Sequence, residues 1–198
     1  MTEPLSDPDR RFLLKIARES IAAATSGQPL PALDPAHLSH DLQRLGASFV
    51  TLTHHGGELR GCIGGLQAVV PLYQDVQEHA AQAALDDYRF PPVTPDEVPG
   101  LEIEISILTP PQPLDYERPG DLPRRLRPHV DGVIIAQGVR RATFLPQVWD
   151  KVPDPELFLS MLCEKMGAHP DTWRRTKLDV QIYQVEEFSE AALGVHNA

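Results

Sequence analysis

Glu58-Leu59-Arg60-Gly61-Cys62-Ile63-Gly64-Gly65 places an arginine, a thiol and three glycines in one short segment. Glycine adds nothing to strand packing and costs backbone entropy, so its use here implies a close approach or an open space. Just before the segment stands Thr53-His54-His55-Gly56-Gly57, a turn in which the Gly-Gly pair is free to take positive φ. Before that, 47–52 (ASFVTL) has strand composition. The stretch therefore reads as a β-hairpin, with 58–65 as its return strand. Strand side chains alternate, so Leu59, Gly61 and Ile63 are expected on one face and Arg60, Cys62 and Gly64 on the other.

Outward from the hairpin, helices and strands follow in irregular order. Pro71 suits a helix start, and 72–85 (LYQDVQEHAAQAAL) puts Leu72, Val76, Ala80 and Ala83 on one face. The prolines of 86–92 (DDYRFPP) end that helix. Upstream, Ser6 and Asp9 form a capping pattern ahead of Phe12, Leu13, Ile16, Ala17, Ser20 and Ile21, and Gly27 is the stop. Downstream, 101–108 (LEIEISIL) alternates as a half-buried strand. A second hairpin turns at Gln137-Gly138. A helix opens at Asp154-Pro155, with Leu157, Phe158, Met161, Leu162 and Lys165 on one side, and 180–185 reads as the final strand.

Strands clustered between helices without strict alternation imply an α+β fold. The order hairpin then helix occurs twice, implying two similar β-rich units within one domain over 1–198, with halves of 1–100 and 101–198. The formal charge of −10 disfavours nonspecific nucleic-acid binding, which needs clustered cations. The basic islands Arg124/Arg125/Arg127, Arg140/Arg141 and Arg174/Arg175/Lys177 are expected as solvated surface charge. No apolar run approaches the ~20 residues of a membrane span. The polar N-terminus lacks the signature of a secretory signal, so a cytoplasmic location is expected. Two distant cysteines in such a chain are expected to be reduced. No metal-ligand spacing or nucleotide-binding glycine pattern occurs, so neither metal nor cofactor is expected.

Same-face neighbours Arg60 and Cys62 form the candidate catalytic pair, because a guanidinium beside a thiol favours the thiolate. Gly61 and Gly64 leave room beside them for a ligand or for another stretch of backbone. A structural reading stands next to this one: a packed thiol, with glycines that only permit a bulge or a tight corner. His54 and His55 are the nearest candidate bases. Arg89 either aims into a cleft or caps the helix end. Gln147 contacts a ligand or fixes a loop. Cys163, between Met161 and Met166, is expected in the core.

Leu59 to Gly64 (LRGCIG), then RFPPV, EIEIS, DGVII, LPQV and the FL-x-x-x-C-x-K pattern resemble the AMMECR family, in order and from about Phe49 to Phe188. The resemblance implies repeated β-rich and helical units around a mainly antiparallel, barrel-like sheet. It also implies a cleft lined by Leu59, Arg60, Gly61, Cys62, Ile63 and Gly64. Prokaryotic relatives are similar to protein A of the AmmeMemoRadiSam system, which implies a Memo-like protein and a radical SAM enzyme as partners. The site then implies a small anionic ligand. Two positions depart from the family pattern. The helix exit, usually DPRFPP, carries Tyr88 here, and Met166 replaces the alanine of a lysine-alanine-glycine helix end.

Overall fold

A computed structural model describes residues 4–54 and 56–195. The chain divides into two compact units. The first comprises residues up to Leu108 together with those from Glu186 onward, and the second runs from Thr109 to Val185. The division falls after Leu108 rather than near residue 100.

The first unit holds α1 (Asp7–Thr25), α2 (His40–Gln43), β1 (Leu45–Gly46), β2 (Ser48–His54), β3 (Leu59–Gly64), β4 (Val70–Pro71), α3 (Leu72–Leu85) and β5 (Leu101–Leu108). The second holds β6 (Gln112–Pro113), β7 (Gly132–Gln137), β8 (Arg140–Phe144), α4 (Pro155–Lys165), α5 (Thr172–Arg175) and β9 (Asp179–Tyr183). β10 (Val185–Ser189) and α6 (Glu190–Leu193) then return the chain to the first unit. The α+β class is as expected. The barrel-like closure is not: the strands form an open four-stranded sheet in each unit and a two-stranded β1–β4 ladder.

In the first unit the strand order is β10-β5-β2-β3. α1 starts on the Ser6 cap, whose hydroxyl accepts the Asp9 N–H, and stops at Gly27 with φ +66. Its buried stripe, Leu13, Leu14, Ile16, Ala17 and Ile21, joins Val76, Ala80 and Ala83 of α3 and Val50, Leu52, Ile103 and Ile105 of the sheet in one core. Arg18 and buried Glu190 form a part-buried ion pair there; Arg18 also donates to the carbonyls of Val98 and Leu101, and Glu190 accepts the Ile103 N–H.

In the second unit the order is β6-β9-β7-β8. Trp149 stacks on Phe158 with ring centroids 3.6 Å apart, and its indole N–H donates to the Asp131 carbonyl. The buried stripe of α4 is Phe158, Leu159, Leu162 and Cys163, whereas Leu157 and Met161 are exposed. The buried face is thus shifted by one residue along the helix from the expected one, and Lys165 is exposed as well. Burial raises the pKa of the Cys163 thiol, consistent with a packed role. Two of the three basic islands are met by acids, while Arg140 and Arg141 donate to the Gly167 carbonyl and the Gln181 side chain. Arg127 binds buried Asp131, Arg174 binds Glu156, and Arg124, Arg125 and Lys177 line a cavity with Asp115, Glu117 and Asp121.

The expected final strand over 180–185 is two strands. β9 ends at Tyr183 in one sheet and β10 begins at Val185 in the other. No helix is long and apolar enough to cross a membrane among the described residues.

The first unit depends on close contact between α3 and β3. A Cβ placed on Gly61 would stand 2.2 Å from the Ala83 carbonyl oxygen, a backbone atom that cannot swing aside. Gly61→Ala is therefore expected to destabilise the chain by about 3 kcal/mol, the upper end for overpacking. Urea unfolding followed by circular dichroism reads this as a lower midpoint.

Candidate functional site

β2 and β3 pair as a hairpin, with positive φ at Gly56 and Gly57 as expected. The pairing is not regular. Leu52 lies opposite Gly61 and Thr53 opposite Leu59, which leaves Arg60 with no opposite residue. Arg60 is a β-bulge, and a bulge re-aims the side chain it carries. The period-two argument that paired Arg60 with Cys62 therefore fails at this residue.

The contacts of the two side chains diverge. Arg60 is buried, and its Nε and NH2 groups donate to the two carboxylate oxygens of Glu97 at 3.1 and 3.3 Å. Its NH1 donates to the Pro91 carbonyl at 2.9 Å. Glu97 also accepts the Thr94 N–H and hydroxyl. The Arg60 guanidinium, helped by the Thr94 donors, lowers the Glu97 pKa to about 2. Arg60 thus fastens the bulge to the loop after α3.

Cys62 is half-buried on the face opposite α3, and its sulfur accepts a hydrogen bond from Thr51 Oγ1 at 3.3 Å. Because β3 is the edge of its sheet, the outward N–H and C=O of Cys62 have no strand partner. The Cys62 N–H donates to Asp87 Oδ2 at 2.8 Å, and the Cys62 carbonyl accepts from Arg89 NH2 at 3.4 Å. Asp87 and Arg89 are themselves joined by two side-chain bonds, at 2.9 and 2.6 Å. The Asp87 carboxyl is held far below the ordinary carboxylate range, first by the Arg89 guanidinium and then by the Cys62 N–H, against the cost of burial. Asp87 raises the pKa of Arg89 in turn, and Arg89 lies close enough to Cys62 for their charges to interact. The guanidinium that reaches Cys62, through its backbone carbonyl, is therefore that of Arg89, which is 44% exposed.

The glycines are filled positions rather than open ones. Gly61 admits the α3 backbone, and a Cβ on Gly64 would stand 2.3 Å from the Phe49 ring. Of the two expected occupants, a ligand or another stretch of backbone, the structure shows the backbone of α3 at Gly61, and at Gly64 an aromatic ring packs where a side chain is missing. Gln147 lies in a 3₁₀ turn (Pro146–Asp150) of the second unit. The other expected site residues belong to the first. His54 ends β2, and His55 lies outside the described residues.

Across the sheet, Thr51 stands directly opposite Cys62 on β3 and Glu104 on β5. Thr51, Thr53, His54, Glu102, Glu104 and Ser189 contribute to the lining of a cavity of about 320 Å³. Burial raises the Glu104 pKa, and the carboxylates of Glu187 and Glu102 raise it further. In the sequence Glu104 is marked only by its place in the alternating strand 101–108. On the helix side, buried Asp75 accepts from Ser48 Oγ at 2.6 Å and lies 3.1 Å from His79 Nδ1, a cluster with no local sequence signal. Among the described residues no group of three His, Cys, Asp or Glu is placed to hold a metal.

The AMMECR1 family model matches residues 14–188, which include every residue of this site. The chain belongs to the AMMECR1 family. It is similar to a protein of Methanothermobacter thermautotrophicus, 40% identical over 192 residues, with 94% of this chain and 97% of the relative covered. A protein of Methanopyrus kandleri is 34% identical over 201 residues, covering 96% of this chain and 92% of the relative. Among solved structures, the uncharacterized protein PH0010 from Pyrococcus horikoshii superposes with a TM-score of 0.84 at 32% identity, covering 96% of this chain and 95% of that one. The AMMECR1 fold thus accounts for both units.

Asp87 and Glu97 both titrate below their ordinary values of 3.8 and 4.5 in the folded chain. The stability they contribute is full above those values and is lost as the pH falls through the lowered ones. Asp87→Asn is expected to lower the melting temperature at neutral pH and to shrink its fall between about pH 5 and about pH 2. Thermal melts across that range check this.

Proposed function

We propose that this AMMECR1-family chain is an enzyme or enzyme component that acts through the segment Leu59–Gly64. Cys62 is its nucleophile and Arg89 holds an anionic group of the ligand. The family resemblance supports action together with a Memo-like protein and a radical SAM enzyme. The observation that carries the reading is the convergence on one residue: a hydroxyl on the Cys62 sulfur, and the Asp87–Arg89 pair on both its backbone groups. A nucleophile gains from fixed orientation, and a thiolate gains from hydrogen-bond donors and a nearby cation. Arg89 suits an anion because Asp87 occupies its Nε and NH2, leaving NH1 for a further bond. Arg60, first paired with the thiol, serves the loop instead.

A second reading, a non-catalytic adaptor or ligand-binding module, is favoured by Tyr88. That side chain is 95% exposed and sits between Asp87 and Arg89. Tyrosine and arginine are enriched among the residues that dominate protein interfaces. On this reading Tyr88→Ala abolishes capture of a Memo-like partner and Cys62→Ser leaves it intact.

The enzyme reading is tested by alkylation of the purified chain. Cys62 is expected to react about tenfold faster than glutathione near neutral pH. Arg89→Ala is expected to slow reaction with anionic iodoacetate more than with neutral iodoacetamide. Arg60→Ala is expected to lower the melting temperature and leave that ratio unchanged. A Cys62 no faster than glutathione ends the nucleophile reading.

A further inference from the structure

The row Cys62–Thr51–Glu104 crosses three neighbouring strands on one face of the first unit's sheet. Directly opposite residues on antiparallel strands have Cβ atoms about 4.5–5.5 Å apart. Thr51 is therefore the shared neighbour of a thiol and a carboxyl, and it already bonds the sulfur. A threonine hydroxyl can donate one hydrogen bond while accepting another, which suits it to pass a proton along the row.

We propose that Thr51 and Glu104 form a proton path for Cys62. In the resting arrangement the Thr51 hydroxyl donates to the sulfur; for the transfer that hydroxyl turns toward Glu104, so that the thiol proton moves to Thr51 Oγ1 while the Thr51 hydroxyl proton moves to a carboxylate oxygen of Glu104. The electron pair of the S–H bond stays on sulfur, so the products are a thiolate and a neutral carboxyl, with no change of oxidation state. The proposal rests on the reading of Cys62 as a nucleophile and supplies the base that reading lacks.

The other titratable groups around the row are poorer bases for this proton. Asp87 is held by Arg89 and by the Cys62 N–H, and its carboxyl is a weak base. His54 lines the same cavity, yet it stands opposite Leu101, three positions along β2 from Thr51. Glu102 is opposite Thr53, and one of its oxygens accepts the Ala191 N–H. Burial, then the negative charge of Glu187 and Glu102, and a hydrogen bond with the Glu187 side chain make Glu104 a stronger base than an ordinary carboxylate. A base is most useful when its pKa lies nearer the working pH. The cavity beside Thr51 and Glu104 also gives a ligand access to the row.

The test is the pH profile of Cys62 alkylation by iodoacetamide in the full chain, with Cys62→Ser subtracting any reaction at buried Cys163. Thr51→Val and Glu104→Gln are each expected to slow the reaction about tenfold near neutral pH, the equivalent of one pKa unit. Both should move the rise in rate to higher pH, and Thr51→Ser should restore the wild-type profile. Circular dichroism checks that each variant is folded. If Thr51→Val unfolds, Glu104→Gln decides, being isosteric at a half-buried position. A fast Cys62 whose profile is the same in wild type and Glu104→Gln overturns the path alone. A wild-type Cys62 no faster than glutathione overturns the nucleophile reading, and the path falls with it.

Discussion

A helix and an edge strand meet at Gly61 with no side chain between them, and the first unit is arranged around that meeting. The Ala83 carbonyl occupies the place a Cβ would take. With α3 seated this closely, its C-terminal exit falls beside the open edge of β3. Asp87 can then reach the Cys62 N–H, and Arg89 can reach the Cys62 carbonyl. The edge strand, an ordinary liability for a sheet, is covered by an ion pair instead of by another strand.

Arg60, Asp87 and Arg89 are each held by a specific partner, which limits what each can do. Arg60 is tied to Glu97 and the Pro91 carbonyl, so it serves the loop after α3. Asp87 is tied to Arg89 and to backbone, so it stays ionised and orients rather than accepts protons. Arg89 keeps part of its donor capacity and part of its exposure. Two arginines in one neighbourhood thus have different roles, and the bulge at Arg60 separates them. The glycines share this economy. Gly64 is covered by the Phe49 ring, an aromatic laid over a strand glycine.

The opposite face of the sheet owes its chemistry to register. Thr51 touches the sulfur and stands opposite Glu104 because β2 lies between β3 and β5. A one-residue slip of either pairing would turn Glu104 or Cys62 toward the helices. The core residues Val50, Leu52, Ile103 and Ile105 oppose such a slip, since it would drive them out of the interior. Packing on one face of the sheet therefore holds the Cys62–Thr51–Glu104 row on the other.

The sequence by itself determined the local elements and the family. The alternation of Leu101 to Leu108 marks β5 end to end, the Gly56-Gly57 turn defines the hairpin, and the Ser6 and Gly27 signals bound α1. These follow from short-range backbone preferences, which a sequence carries directly. Tertiary structure decided the rest. The bulge at Arg60 is a matter of pairing with β2, and β9 and β10 separate because one residue, Gln184, lies between strands of different sheets. The Arg60–Glu97 and Asp87–Cys62 contacts span 37 and 25 positions. Thr51 and Glu104 become neighbours only when the sheet forms. Local periodicity says which residues share a strand face, but only packing across distant segments decides which side chain stands beside the thiol.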